Sequence, residues 1–377
     1  MRALVSAIRP RAAALVAGYL LLAIVLLFVC PAVLGTFQIN LLARLVCYAV
    51  VAVGIGLAWG RGGMLTMGQG VFFGLGAYAM AMHLKLADAG PNGVPDFMSL
   101  YGDGHLPGWW EPFRSPVFTV AAAVLLPALV ALVLGFAILK RRVKGAYFAI
   151  LSQALAYAFA LLLIGNIQST GGTNGLNGFR SFFGYNLYVP ANQVMIYTFA
   201  AVILLVALAL MAWLYASRYG ELLVAVRDAE ERVRFLGYDP ANVKIVAYVL
   251  SATLAGIAGA MFVPIAGIIS PSAVGVVPSI AFITGVALGG RATLLGPAIG
   301  AIAVGWAQNQ LSSSFPSFWT YFQGGLFIVV VALLPGGLGQ LPALVGRLAG
   351  RTTARIRTSR PLPSRTESLP AEVGAHE

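Results

Sequence analysis

The chain has 377 residues, of which 59% are hydrophobic and only 10% are charged, and its mean hydropathy is +0.87. Apolar runs of about 20 residues recur from one end to the other, which excludes a soluble multidomain protein and predicts a polytopic membrane protein. The net charge of +12 does not indicate a nucleic-acid-binding protein, because most of the basic residues lie between the apolar runs and at the termini.

The apolar runs predict an all-α fold, a transmembrane helical bundle of about ten spans. In chain order they cover residues 13–34, 39–59, 64–85, 116–139, 145–165, 194–216, 244–266, 276–290, 294–310 and 321–340. The eighth and ninth runs are short, so they could be broken or re-entrant segments rather than full crossings. Several runs carry glycines four residues apart, which let helix backbones approach closely in lipid. These pairs are Gly56/Gly60, Gly70/Gly74, Gly285/Gly289 and Gly296/Gly300.

The basic residues indicate the orientation of the bundle. An even number of crossings places both termini on the same side of the membrane. If that side is the cytoplasm, the 24 lysines and arginines fall there with the exception of Arg44, Lys85, Arg114 and Arg180. Excess positive charge in cytoplasmic segments is the usual topology signal, so we expect both termini to be cytoplasmic.

The sequence predicts two parts of unequal size. Residues 1–350 contain all the apolar runs and form the membrane domain. From residue 351 to 377 the sequence reads "RTTARIRTSRPLPSRTESLPAEVGAHE". This stretch is polar and contains proline, so we expect a disordered cytoplasmic tail.

One segment between the sixth and seventh runs, residues 217–243, is highly charged, with "RDAEERVRFLG" at 227–237. Each charge at the centre of a bilayer costs about 2.5–3.5 kcal/mol, so the segment must lie outside the membrane. Apolar residues at helical spacing predict one buried stripe of an amphipathic helix. They are Leu222, Val226, Ala229, Val233 and Leu236. Gly237 ends this helix and Asp239-Pro240 begins the next one. The mixed charge argues against a lipid-bound helix, which leaves either a cover for the bundle itself or a contact with a partner.

Three blocks in the same order carry a family resemblance. They are "GGMLTMGQGVFFGLGAYAM" from Gly62, "YGELLVAVRDAEERVRFLGYDPANVKIVAYVLSATLAGIAGAMF" at 219–262 and "ALGGRATLLGPAIGA" from Ala287. Together they resemble the LivM-like permeases, the branched-chain amino-acid branch of ABC importers, from about residue 40 to 340.

The resemblance implies that the charged segment is a coupling helix that seats in a groove of an ATPase. The matching positions are Arg227, Asp228, Glu230 and Gly237, and we add the neighbouring Glu231 to this set. The resemblance also implies a bacterial inner-membrane protein that works with a second permease subunit, two ABC ATPase subunits and a periplasmic substrate-binding protein.

No cofactor is expected in this chain, because ATP would be bound by the partner ATPase subunits. A P-loop needs a lysine directly after a glycine to reach the phosphates. None of the lysines, Lys85, Lys140, Lys144 and Lys244, follows a glycine. The ATPase is therefore predicted to be a separate polypeptide.

Two further stretches resemble the urea-transport members of the family. They are "GVPDFMSLYGDGHLPGWWEPF" at 93–113 and "ILSQALAYAFALLLIGNIQSTGGTNGLNGF" at 150–179. The chain departs from the pattern at Thr173, where an asparagine is expected. Urea is therefore the predicted substrate, and a branched-chain amino-acid or short-amide permease and a passive urea channel are the alternatives.

Polar groups within or capping the spans are the candidates for the solute path. They are Gln69, Ser152, Gln153, Asn166, Thr284, Gln308 and Asn309. Urea has two NH2 donors and one carbonyl acceptor, so carboxamides and hydroxyls suit it. The alternative is that these side chains hydrogen-bond across helices.

The long loop 86–115 is the candidate docking surface for the binding protein, through Asp96, Trp109 and Trp110. The alternative for the two tryptophans is that they anchor the protein at the membrane interface.

Two other classes of membrane protein fit the sequence less well. Ion-coupled carriers place ionisable residues within their spans, and here carboxylates are absent from them. The chain also lacks the residues from which a membrane enzyme could build an active site. His83, His105 and His376 are far apart in the sequence, and no H-E-x-x-H motif is present. We therefore predict no catalytic residues and no metal site.

Overall fold

The computed structural model describes residues 16–143, 145–315, 318–333 and 337. The described residues are mostly helical, and their strands are only two residues long. The predicted all-α fold is confirmed. The predicted tail 351–377 lies outside the described residues.

Twelve helices form the framework of the described chain. They are α1 Val16–Val33, α2 Thr36–Arg61, α3 Gln69–Ala89, α4 Asp96–Tyr101, α5 Pro116–Leu139, α6 Ala146–Gly165, α7 Pro190–Ala216, α8 Arg218–Phe235, α9 Pro240–Ala266, α10 Val276–Gly289, α11 Gly296–Ser314 and α12 Trp319–Leu333. Eight of the described helices are long and apolar enough to cross a membrane, namely α1, α2, α3, α5, α6, α7, α9 and the helix that ends with α10. The ninth and tenth predicted spans also coincide with helices, α11 and α12.

The third span begins later than predicted. The hydropathy pattern starts it at residue 64, but α3 begins at Gln69 and residues 63–68 are not helical. Gly63 has a φ of +68°, a left-handed conformation that suits glycine and interrupts a right-handed helix. The non-helical residues leave backbone groups without helical hydrogen bonds, and some of these groups find partners within the bundle. The amide of Met67, for example, donates to Ser152 Oγ over 3.0 Å.

The centre of the bundle is the crossing of α3 and α9. A side chain on Gly76 of α3 would collide with the carbonyl oxygen of Gly256, and one on Gly259 of α9 would collide with the carbonyl oxygen of Phe73. Glycine therefore sets the distance between these two helices.

The predicted glycine pairs of α10 and α11 pack against each other. Gly289 lies against the carbonyl of Gly296, and Gly300 lies against the carbonyl of Gly285. Two motifs that are separate in the sequence thus form one close helix crossing. This agrees with a packing role for both pairs.

Four aromatic rings fill the space between α2, α3, α9 and α10. Tyr48 stacks on Phe262 with ring centroids 5.5 Å apart, and Phe73 and Phe282 lie 5.7 Å apart beside them. Such contacts make the middle of the bundle a packed apolar core.

The bundle has two distinct ends. At the loop end, the segments 90–115, 166–189 and 267–275 lie together, and strand Leu176–Asn177 pairs with Ile268–Ile269. At the basic end, the segments 60–63, 139–143, 217–240 and 289–296 lie together, and Lys140 Nζ is 2.6 Å from Asp239 Oδ2. The charged helix α8 belongs to the basic end.

Candidate coupling segment and solute path

Helix α8 is amphipathic, as predicted, but it is not straight. Ser217 accepts a hydrogen bond from the amide of Gly220 at its start. Val226 and Val233 are buried, which confirms the predicted stripe at these positions. Ala229 has a φ of −149° and a ψ of 60°, so the helix is kinked in the middle of the charged stretch. Leu236, predicted to be on the buried stripe, lies after the end of the helix and is 76% exposed.

Arg227 faces the bundle. Its Nη1 donates to the carbonyl oxygen of Gly60 over 2.7 Å, and its Nε donates to Asp228 Oδ1 over 2.7 Å. The aliphatic part of its side chain lies against Gly63, where an added Cβ would be 2.7 Å from Arg227 Cγ. The hydrogen bond that Arg227 donates to Asp228 lowers the pKa of this carboxyl below its ordinary value. Arg227 therefore connects α8 to the turn between α2 and α3.

Glu230 also faces the bundle. Its Oε2 accepts from Lys244 Nζ of α9 over 2.8 Å, and its Oε1 lies 3.4 Å from Arg234 Nη2. The Glu230 and Lys244 side chains are only 18% and 14% exposed. In this structure Arg227 and Glu230 both hold α8 to its own bundle, and their part in coupling to an ATPase stays a prediction.

The start of α9 is fixed by a local cap and by a distant charge. Asp239 Oδ1 accepts from the amide of Ala241 over 2.9 Å, as the Asp-Pro sequence predicts. The hydrogen bond from Lys140, at the end of α5, lowers the pKa of Asp239. The turn after α8 is thus tied to the turn after α5.

The outer surface of the segment combines acidic and apolar groups. The Asp228 and Glu231 side chains are 59% and 63% exposed. Beyond the helix end, Phe235, Leu236 and Tyr238 are 90%, 76% and 55% exposed. We call these three residues the apolar knob. This cluster was not predicted from the sequence, although three large apolar residues around a helix-ending glycine outside the membrane are a usable signal.

Gly237 lies in the middle of the apolar knob and has a φ of +90°. No atom lies within 4 Å of the position that a Cβ would take. The glycine is therefore required by the backbone conformation and not by a lack of space, as expected for the end of a helix.

Three of the predicted path residues are closed off in the core. Gln69 Nε2 donates to Ser251 Oγ over 3.0 Å, Ser152 donates to the carbonyl of Ala149 over 2.8 Å, and Thr284 donates to the carbonyl of Ile280 over 2.8 Å. Gln69 thus bonds across helices, as the stated alternative has it, and Ser152 joins another segment by accepting from the amide of Met67, whereas Thr284 bonds within its own helix.

The other four candidates are more accessible. Gln153 and Gln308 are partly exposed, and Asn166 and Asn309 are exposed. Asn166 donates to the carbonyl of Leu162 over 2.8 Å at the end of α6. Their place on a solute path stays a prediction.

The two tryptophans of the loop end differ in accessibility. Trp109 is 52% exposed, and Asp96, at the start of α4, is exposed. Trp110 has 0% exposure and packs with its ring centroid 5.8 Å from that of Phe97. The Trp110 ring is therefore not accessible in this conformation, and a docking role for Asp96, Trp109 and Trp110 stays a prediction.

Within the described residues, no group of three His, Cys, Asp or Glu side chains could hold a metal ion. Cys30 and Cys47 are free thiols.

Comparison with known proteins decides the family. The model of the family described as "Branched-chain amino acid transport system / permease component" matches residues 37–331. The chain belongs to this permease family. The resemblance seen in the three sequence blocks is thereby confirmed, and the matched region contains α2 to α11 together with the coupling segment.

Individual relatives of the permease are transport proteins. The high-affinity branched-chain amino acid transport system permease protein LivM of Escherichia coli (strain K12) is 26% identical over 327 residues, 81% of this chain and 70% of LivM. The fructose import permease protein FrcC of Rhizobium meliloti is 31% identical over 163 residues, 41% of this chain and 44% of FrcC. The autoinducer 2 import system permease protein LsrC of Escherichia coli O9:H4 (strain HS) is 31% identical over 165 residues, 42% of this chain and 47% of LsrC. No solved structure matches. The protein is thus a multi-pass permease of the ABC importer type.

Proposed function

We propose that this permease is the membrane subunit of an ATP-driven importer that moves urea inward from a periplasmic binding protein. It lies in the bacterial inner membrane with the basic end and both termini in the cytoplasm and the loop end in the periplasm. The distribution of the basic residues supports this orientation, because α8, residues 139–143 and Arg291 belong to one end of the bundle.

The observation that best supports the proposed role is that the two faces of the charged helix α8 have different contacts. On one side, Arg227 and Glu230 hold α8 to Gly60 and Lys244 of the bundle. On the other side, the apolar knob and the acidic groups of Asp228 and Glu231 face outward. A segment that is fixed to the bundle and exposes large apolar side chains suits a rigid contact with a moving partner. An ATPase subunit is that partner.

The apolar knob gives the first prediction. Replacing Phe235 and Leu236 together with serine is expected to weaken binding of the ATPase more than tenfold, because burial of each side chain contributes about 1.5–3 kcal/mol. The measurement is the amount of ATPase that co-purifies with the tagged permease. The matched control is Tyr188→Ser, which removes a side chain of 69% exposure at the loop end. Equal recovery of the ATPase with all three proteins would contradict the proposed contact.

The proposed assembly has four kinds of subunit. A second permease subunit would cover the side of the bundle where α6 exposes large apolar side chains, among them Tyr147, Ile150 and Tyr157. Two ATPase subunits would bind at the basic end and hold all the ATP. The periplasmic binding protein would dock at the loop end, with Asp96 and Trp109 as contact residues. No cofactor and no nucleic acid has a place in this scheme.

Two properties support urea as the solute. The stretches that resemble urea-transport members, 93–113 and 150–179, come together at the loop end, where a Cβ added to Gly102 would lie 3.4 Å from Gln168 Cβ. In addition, the accessible path candidates offer carboxamides and no carboxylate. A small neutral solute with two amide donors and one acceptor can exchange its water contacts for such groups without a charged partner.

A branched-chain amino acid is the second candidate. It is favoured by the similarity to LivM over 81% of this chain.

One experiment separates the two candidates. The complete complex is reconstituted in liposomes with ATP and its binding protein, and uptake of labelled urea is compared with uptake of labelled leucine. We expect ATP-dependent uptake of urea only. Uptake of leucine in place of urea would assign the amino-acid role, and ATP-independent uptake of urea would indicate a passive channel.

A further inference from the structure

A pocket at the loop end has properties that urea transport does not explain. It has a volume of about 330 Å³ and lies between α2, α7, α9 and α11 and residues 178–188. Its polar lining consists mainly of Asn40, Arg44, Gln193 and Asn309, and Phe37 provides part of its apolar wall. This volume is within the range of small-ligand sites, about 300–1,000 Å³.

Arg44 gives the pocket an uncompensated positive charge. It is exposed and forms no ion pair or hydrogen bond with any residue that the structure describes. No carboxylate lines the pocket. The acids of the loop end lie elsewhere, and Asp88, for example, accepts from Ser181 Oγ over 2.9 Å. Five N–H donors of one guanidinium are therefore directed at a site without an acidic partner.

The neighbouring carboxamides are fixed. Asn40 Nδ2 donates to Gln193 Oε1 over 2.6 Å, and Gln193 Nε2 donates to the carbonyl of Leu187 over 3.0 Å. These bonds join α2, α7 and the loop before α7 around Arg44. The pocket is thus a preformed feature of the fold, and its polar groups do not neutralise the arginine.

The depth of Arg44 narrows the choice of ligand. Helix α2 has 26 residues, a length of about 39 Å at 1.5 Å per residue, which exceeds the hydrocarbon thickness of about 30 Å. Arg44 lies eight residues after Thr36, or about 12 Å along the helix, where a long side chain reaches the polar headgroup layer. Phe37 and Tyr188, which are 78% and 69% exposed, flank the pocket as interfacial aromatic residues do.

We propose that this pocket binds a phosphate-bearing anion, and that the ligand is the headgroup phosphodiester of an anionic phospholipid of the outer leaflet. The planar guanidinium of Arg44 matches two phosphate oxygens, and the absence of carboxylates leaves this charge available to the ligand. The acyl chains would lie along the exposed outer turns of α2 beside Phe37. Of the solute-path candidates, Asn309 alone is among the residues that line this pocket.

The test uses the full complex purified in detergent, with lipid retention and the thermal unfolding midpoint as readouts. Phosphatidylglycerol, phosphatidylcholine and inorganic phosphate are added separately to the wild type, to Arg44→Gln and to Arg180→Gln. Arg180→Gln is the matched control, because it removes the same charge from an exposed arginine of the loop end outside the pocket lining. We expect Arg44→Gln to weaken phosphatidylglycerol binding about tenfold or more, and the control to change it less than twofold.

The comparison of ligands completes the test. Phosphatidylglycerol is expected to raise the midpoint of the wild type more than phosphatidylcholine does, and inorganic phosphate is expected to leave it unchanged. An equal, Arg44-dependent effect of inorganic phosphate would overturn the assignment to lipid and leave a site for free phosphate. Unchanged phosphatidylglycerol binding in Arg44→Gln would overturn the proposal. So would loss of the second permease subunit from this variant without any change in lipid binding, because Arg44 would then pair with that subunit.

Discussion

Replacing Gly259 with alanine is expected to prevent normal assembly of the helical bundle. The new methyl group would collide with the carbonyl oxygen of Phe73 and would come within 3.1 Å of the amide nitrogen of Ala77. Both groups belong to the backbone of α3, so relief requires α3 and α9 to move apart along their crossing. Overpacking of this kind costs about 3 kcal/mol or more, because an entire helix must shift instead of one side chain.

The measurement is the fraction of protein that elutes as a single peak in size-exclusion chromatography, together with its thermal unfolding midpoint. Gly165→Ala is the matched control, since Gly165 ends α6 and an added Cβ would meet no atom within 4 Å. We expect the control to behave like the wild type. A normal peak and an unchanged midpoint for Gly259→Ala would show that the glycine does not set this helix distance.

Replacing Arg227 and Glu230 together with alanine is expected to uncouple ATP hydrolysis from transport. The change removes the hydrogen bond to Gly60 and the ion pair with Lys244, which hold α8 to the bundle. Hydrogen bonds that involve a charged group contribute about 1.5–3 kcal/mol each. We therefore expect solute-stimulated ATPase activity and uptake in proteoliposomes to fall about tenfold or more.

The ATPase itself should still bind, because the apolar knob is unchanged in this variant. Co-purification of the ATPase is therefore expected to stay within twofold of the wild type, which separates a loss of transmission from a loss of docking. Arg232→Ala is the control, since it removes an exposed charge from the same helix. Normal uptake in the double variant would show that these contacts do not transmit motion. Loss of the ATPase would instead place Arg227 or Glu230 in the docking contact.

The sequence by itself determined the features that depend on local chemistry. The limits of α5 were predicted as 116–139 and are Pro116–Leu139. The prediction succeeded because the apolar run itself, bounded by Pro116 and Lys140, determines where this helix begins and ends. The start of α9 was predicted from Asp239-Pro240, because an N-cap and a first-turn proline act within three residues. The presence of α8 and its buried Val226 and Val233 followed from helical periodicity alone.

Only the tertiary structure decided where the polar and aromatic groups of the candidate site point. The partner of Arg227 is a carbonyl 167 residues earlier in the chain, and no pattern near Arg227 contains that information. Trp110 is buried because a loop folds over it. A tryptophan that the sequence suggests as an anchor at the membrane interface is therefore part of a packed core. Leu236 is exposed because α8 ends at Phe235, one residue before this position of the stripe, although Val233 on the same stripe is buried. Periodicity fixes which residues share a face of a regular helix, but contacts between distant segments determine where that regularity ends and what each face meets.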